Sequence, residues 1–187
     1  MKFTAVILAG GRSSRMGSNK ALIPYLGKPL IQYSLDVARQ FTQIIHISAG
    51  SQDLAFLGFP IVKDVLKVSA PIAGIHAGLL NSRTEWTLVL TCDMPNVSKM
   101  VIGRLISAAD NDLRMVVPRH GSFIEPLCGF YHRELIPVIE NNVLAGKMSL
   151  LDLPGIVPHK MVDFSDIPTG EISHLFKNVN ERKDLLQ

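Results

Sequence analysis

Cysteine is scarce in this chain, with only Cys92 and Cys128 present. Two cysteines give no disulfide framework, and their spacing matches no zinc-ligand set. Each sits in an apolar, strand-like run, the usual setting of a buried free thiol. Long apolar runs are also missing. Nothing approaches the roughly 18–20 consecutive apolar residues of a membrane span, so no membrane association is expected. Lys2 precedes only a short apolar stretch before glycines interrupt it, which is unlike a secretory signal, and a cytoplasmic location is expected. No cluster of five or more lysines and arginines occurs, so nucleic acid is not indicated. The net charge of +3 is explained equally well by a small polyanionic ligand or by chance. Finally, no Ser/His/Asp or Cys/His constellation stands out, which argues against covalent nucleophilic catalysis.

What is present is a chain of 187 residues, 47% hydrophobic, long enough for one compact domain with a sizeable core. Strand-like and helix-like patterns alternate, predicting an α/β domain with a largely parallel sheet. Strands are expected at Phe3 to Leu8, Ile44 to Ile47, Ile61 and Val62, Trp86 to Leu90, Met115 to Pro118, and Lys160 to Val162. A further strand is expected from Phe123 to Tyr131, interrupted by Pro126 at an edge or bulge. Helical spacing covers Pro29 to Phe41, Ile72 to Leu80, Glu134 to Leu144 and Ser149 to Leu153, with a helical turn between Ser51 and Phe56. Ser98 is placed to cap a helix running to about Ala109, and Asn180 to cap a terminal one at Glu181 to Leu186.

The stretch Leu8-Ala9-Gly10-Gly11-Arg12-Ser13-Ser14-Arg15-Met16-Gly17-Ser18-Asn19-Lys20 carries the most information. It follows the first strand. Its glycines let the backbone approach an anion, and consecutive N–H groups can converge on phosphate oxygens. Arg15 and Lys20 supply the counter-charge. This is the chemistry of a nucleoside triphosphate site. Two commoner phosphate loops are excluded by spacing. A Walker loop needs lysine directly after its last glycine, but Ser18 follows Gly17. The G-x-G-x-x-G pattern fails because Gly10 and Gly11 are adjacent and the next glycine is Gly17.

Ligands of such sheets bind at the carboxyl ends of the parallel strands. Asp93 emerges there, just beyond Trp86 to Leu90, with Pro95 ending the run. A carboxylate in that place either holds Mg²⁺ beside a triphosphate or caps a turn. Asp64 follows the short strand at Ile61 and Val62 and is either a second site carboxylate or a surface turn residue. Gly74 and Gly78 allow close packing of their helix. His76 has no partner visible in the sequence and reads as structural or exposed.

The segment LAGGRSSRMGSNK resembles the signature loop of the molybdenum cofactor guanylyltransferases. The resemblance continues through LGKPLIQY, APIAGIHAGL, LVLTCDMP, EPLCGFY and KNVNERKDL. It implies a Rossmann-like three-layer nucleotidyltransferase fold in one domain, 1–187. Residues up to about 100 would bind nucleotide, and about 101–187 would bind molybdopterin. It implies a nucleotide site of Leu8, Ala9, Gly10, Gly11, Lys20, Asp64, Gly74 and Asp93, with Mg²⁺ on Asp93. Lys20, Arg15 and Asp93 would carry the reaction. Asn178 and Asn180, the N-x-N block, and more weakly Lys147, would meet molybdopterin. Glycine at position 10 is similar to guanylyl-transferring members, whereas cytidylyl relatives tend to read L-A-A-G. One departure concerns the loop after the second strand, where the family often carries asparagine. Here it reads Ser48-Ala49-Gly50-Ser51, which weakens a side-chain role for that loop.

The implied reaction is transfer of GMP from GTP to the terminal phosphate of Mo-molybdopterin, releasing pyrophosphate. A phosphate nucleophile is already anionic, so positioning and charge neutralisation suffice. Proteins that deliver molybdopterin or receive the finished cofactor are implied as partners. Two other readings compete. One is a sibling transferase, using CTP or another phosphorylated cofactor precursor. The other is a non-catalytic GTP-binding module.

Overall fold

The computed structural model describes residues 1–10, 19–180 and 184. In chain order its elements begin with strand β1 (Phe3–Leu8), a 3₁₀ turn at Lys20–Leu22, strands β2 (Pro24–Tyr25) and β3 (Lys28–Pro29), helix α1 (Leu30–Arg39), strand β4 (Ile45–Ser48), a 3₁₀ turn at Ala55–Leu57 and strand β5 (Ile61–Val62). Helix α2 (Pro71–Asn81), strand β6 (Trp86–Thr91), helix α3 (Lys99–Ala108), strands β7 (Met115–His120), β8 (Phe123–Ile124) and β9 (Cys128–His132), and helix α4 (Leu135–Leu144) follow. A 3₁₀ segment at Leu150–Gly155, strand β10 (His159–Asp163) and helix α5 (Thr169–Leu175) complete them.

The main sheet has the order β10-β7-β9-β6-β1-β4-β5, with β8 paired to β7. β1 pairs in parallel with β4 and β6, β4 with β5, and β7 with β10. Among the described strands of this sheet only β8 and β9 run against their neighbours, and β2 and β3 form a separate antiparallel pair. The sheet is therefore mostly parallel, as the alternating pattern predicts.

Its strands are apolar on both faces because helices cover both. Side chains alternate across a strand, so each strand feeds two cores. On one face Ala5, Ile7, Ile47, Leu88, Leu90, Val116 and Phe130 pack with Ile31, Leu35 and Ala38 of α1, Val101 and Leu105 of α3, and Ile172 of α5. On the other, Val6, Leu8, Val89, Met115, Val117 and Tyr131 meet Ile72, Ile75 and Leu79 of α2 and Leu135 and Ile139 of α4. The result is a three-layer α/β sandwich, helices over both faces of one sheet.

The structure corrects several local expectations. Phe123 to Tyr131 is not one strand. β8 and β9 are separated by a turn at Glu125–Leu127, where Pro126 offers no N–H and its carbonyl instead accepts a hydrogen bond of 2.6 Å from the Tyr131 hydroxyl. Ser98 stands at the start of α3, but its side chain makes no capping bond. The β2–β3 hairpin and α5 were not anticipated. His76 is buried, and its Nε2 lies 2.9 Å from Glu140 Oε1, tying α2 to α4. Both cysteines are buried and unpaired. Burial, with Asp93 next in sequence, pushes the Cys92 thiol up to about 12, so it stays protonated at neutral pH. The expected helix at Glu181 to Leu186 falls mostly outside the described residues.

Candidate active site

From β1 the chain moves to β4 and β5 on one side. It then returns to β6 on the other side of β1. A sheet that reverses in this way leaves a crevice at its carboxyl edge. A cleft of about 350 Å³ opens there, lined by Leu8 and Gly10 after β1, Ser48 and Gly50 after β4, and Asp64 after β5. Thr91 and Asp93 after β6, Leu127, and the start of α2 from Ser69 to Pro71 with Gly74 close it. Leu8, Gly10, Asp64, Gly74 and Asp93 thus line one cleft. Ala9 lies between two of them, and its N–H donates to Ser48 O at 2.9 Å, stitching the two loops. Gly11 and Arg15 lie outside the described residues.

The floor of the cleft is built by strand endings. Cys92 N–H donates to Leu8 O at 3.0 Å, and Ala49 N–H to Val62 O at 3.1 Å. These bonds fix where the chain leaves each strand, and so where Asp93 and Asp64 emerge. Pro71 opens α2, its fixed φ suiting the first helical position and its missing N–H costing nothing there. The helix N-terminus at Ala70 and Pro71 lines the cleft, a setting that favours anions.

Gly74 is needed for closeness. A Cβ there would stand 2.8 Å from Ser48 Oγ and 3.0 Å from Leu8 Cδ2. We expect Gly74→Ala to cost about 1–3 kcal/mol of stability through overpacking and to weaken nucleotide binding. Urea unfolding and a GTP titration on the same protein would check both, and an unchanged pair of values would show that α2 can retreat without consequence.

Asp93 and Lys20 form the charged centre. Lys20 Nζ lies 2.8 Å from Asp93 Oδ2, and the Thr91 hydroxyl donates to Asp93 Oδ1 at 2.7 Å. Lys20 Nζ also donates to Asn180 Oδ1 at 2.6 Å. Lys20 begins its 3₁₀ turn because Asn19 caps it, the Asn19 Oδ1 accepting from Ala21 N–H at 3.2 Å. The segment carrying Asn180 is held by Val179 N–H, which donates to Asp93 O at 2.8 Å, and by the buried Val179 side chain against Tyr25 and Leu30. One lysine thus touches residues from the middle and the end of the chain. Asn178 is half-buried on that same segment. Lys147 is exposed just after α4 and does not line the cleft.

Asp64 has a different character. Loss of hydration raises its carboxyl above the ordinary carboxylate range, and the Ser48 hydroxyl, 3.5 Å from Oδ1, opposes that shift. Ser48 therefore gives the β4 loop a side chain in the cleft, where the sequence suggested only backbone. Thr91, which holds the Asp93 carboxylate, was also missed. Its signal was available as a hydroxyl two residues before the carboxylate.

Among the described residues no group of three or more His, Cys, Asp or Glu side chains could hold a metal ion. The donors that exist suit Mg²⁺, which prefers hard oxygens and commonly takes only one or two carboxylates, completing its shell from phosphates and water. Asp93 is the carboxylate so placed. No helix among the described residues is long and apolar enough to cross a membrane.

Comparison with known proteins agrees with this geometry. Residues 5–155 match the MobA-like NTP transferase domain. The chain is 34% identical to a molybdenum cofactor guanylyltransferase of Vibrio atlanticus, covering 97% of this chain and 93% of the relative. It is 31% identical to a probable molybdenum cofactor guanylyltransferase of Flavobacterium johnsoniae, covering 97% and 94%. Its fold resembles that of molybdopterin-guanine dinucleotide biosynthesis protein A from Archaeoglobus fulgidus, with a TM-score of 0.80 at 23% identity, covering 98% of this chain and 95% of that one. The chain belongs to the MobA-like NTP transferase family and is a nucleotidyltransferase of the molybdenum cofactor guanylyltransferase type.

Proposed function

We propose that this enzyme transfers GMP from GTP to the terminal phosphate of Mo-molybdopterin and releases pyrophosphate. The observation that carries the reading is the convergence of Lys20, Asp93 and Asn180 at the mouth of the cleft. A carboxylate, a cation and an amide at one point serve a reaction between two phosphates better than they serve simple nucleotide storage. The cleft would take the guanosine and triphosphate, with Gly10 and the opening turn of α2 beside the phosphates. Asp64 is placed to accept hydrogen bonds from the nucleoside.

The attacking phosphate needs no deprotonation, so no general base is invoked. The bond that forms joins the acceptor's phosphate oxygen to the α-phosphorus, and the bond that breaks leaves pyrophosphate. Lys20 would leave Asp93 and Asn180 and place its ammonium on the α-phosphate oxygens, where negative charge develops. Gly10 and Gly11, together with Arg15, would hold the departing pyrophosphate. Asp93 would hold Mg²⁺, which when bound would supply further charge neutralisation. Thr91, by donating to Oδ1, fixes the Asp93 carboxylate for that purpose. Asn178 and Asn180 would face the acceptor, and Lys147 would reach its phosphate only from the periphery. The first hundred or so residues would thus bind nucleotide and the remainder molybdopterin. A cytoplasmic setting fits the two unpaired buried thiols. Proteins that deliver molybdopterin or accept the product would be its partners.

The testing experiment is calorimetric titration of GTP, CTP and ATP with Mg²⁺, followed by pyrophosphate release with molybdopterin. Mg²⁺-dependent preference for GTP and turnover with the acceptor are expected. Preference for CTP would move the activity to a cytidylyl sibling, and binding without turnover would favour a non-catalytic module.

A further inference from the structure

The proposed reaction leaves one cluster at the carboxyl edge of the sheet unused. His120 ends β7, and its ring is stacked between two others. Phe176 lies 5.3 Å away at an interplanar angle of 2°, and Phe123 lies 5.7 Å away at 28°. His120 Nε2 is 3.0 Å from Glu125 Oε1, and both side chains are largely covered. Phe176 is buried in the core, but Phe123 is 67% exposed at the tip of the β7–β8 hairpin. The outer face of the Phe123 ring is therefore open to a flat partner.

Two covalent links place this cluster beside the cleft. Glu125 is two residues from Leu127, which lines the cleft and whose carbonyl accepts from Thr91 N–H at 3.1 Å. Phe176 is two residues from Asn178, and Val179 N–H is bonded to Asp93 O. The side-chain alternation of β7 puts His120 on the face of Val116, the face of α1, α3 and α5, and Phe123 lies opposite His120 in the β7–β8 register. The nucleotide cleft opens toward α2 on the other face. The stack and the cleft therefore lie toward opposite faces of the sheet.

We propose that Phe123 and Glu125 form the acceptor's ring subsite, with His120 as the positioning residue that holds both. This inference rests on the reading of the acceptor as a pterin. Phe123 offers a stacking face to a flat heterocycle, and the Glu125 carboxylate accepts hydrogen bonds from the adjacent ring N–H and amino group of a 2-amino-4-oxopyrimidine edge. A carboxylate discriminates this donor–donor edge from heterocycles that present an acceptor there.

The test uses the full chain and the variants Phe123→Leu, Phe123→Tyr and Glu125→Gln. Two readouts are needed, steady-state transfer with molybdopterin and fluorescence titration with the stable 6-hydroxymethylpterin. Loss of stacking or of the charged hydrogen bond should raise the acceptor KM and weaken pterin binding about tenfold. Phe123→Tyr should restore both, while kcat at saturating acceptor and GTP affinity stay unchanged. Acceptor KM and pterin affinity within twofold of wild type in both Phe123→Leu and Glu125→Gln would overturn the subsite. So would a parallel loss of GTP affinity, the mark of a merely structural role. If the wild type fails to turn over but binds the pterin in a manner dependent on Phe123 and Glu125, the subsite stands and the transfer reading falls. If it neither turns over nor binds the pterin, both fall.

Discussion

Replacing Asp93 by alanine is expected to lower the rate of guanylyl transfer by about 10²–10³, the usual cost of losing one electrostatic contact to a transition state. The carboxylate is held at both oxygens, by Thr91 at 2.7 Å and Lys20 at 2.8 Å. A group oriented so firmly at the end of β6 performs a positional task. Its stability contribution should be small, because Lys20 and Asp93 keep about a fifth of their side-chain surface in water and such pairs are screened. Asp93→Asn separates charge from shape. Asparagine can still accept from Thr91, but it offers no net negative charge to a divalent cation. Similar losses in Asp93→Asn and Asp93→Ala, with an unchanged melting temperature, would assign the effect to charge. Near-normal turnover in a folded Asp93→Ala enzyme would sink the metal assignment.

Lys20→Ala should be as damaging, with a loss of about 10²–10³ in kcat, but its signature should differ. Lys20 touches Asp93 from the nucleotide side and Asn180 from the acceptor segment. Removing it frees a carboxylate and an amide together, so the KM values for both substrates should rise along with the fall in kcat. Lys20→Arg keeps the charge but replaces a compact ammonium by a planar fork, which does not suit a point between two anions. Only partial rescue is expected. Initial-rate kinetics with each substrate varied in turn would resolve the pattern. Full activity in Lys20→Arg would mean that bulk positive charge, and not placement, is what the site requires.

Much of this arrangement was legible in the sequence because its causes are local. Phe3–Leu8 and Trp86–Thr91 are continuous apolar runs, buried on both faces, and the carboxyl-edge rule then points to Asp93 without further help. The β2–β3 hairpin escaped because two-residue strands have no period. Its one signal was Gly27, whose φ of 90°, after Leu26 at 42°, makes the turn. Helix α5 escaped because seven residues after Pro168 are too few to show a face. Lys20, Asp93 and Asn180 stand 73 and 160 positions apart in the bonds that join them. No spacing rule reaches so far, and their grouping came from resemblance. Ser48 was undervalued because it replaced an expected asparagine, although a hydroxyl at that point can still engage Asp64.

The Lys20–Asn180 bond also bears on how the enzyme is made. Synthesis runs from the amino end, and β1, β4, β5 and β6, the strands that carry the cleft, are complete by Thr91. Asn180 emerges almost ninety residues later. Most of the cleft lining is thus made before the segment of Asn180 exists. The two halves of the centre are joined only when the segment after Phe176 swings back to pair Val179 with Asp93. The charged centre is therefore assembled late, when the segment bearing Val179 and Asn180 closes on Asp93 and Lys20.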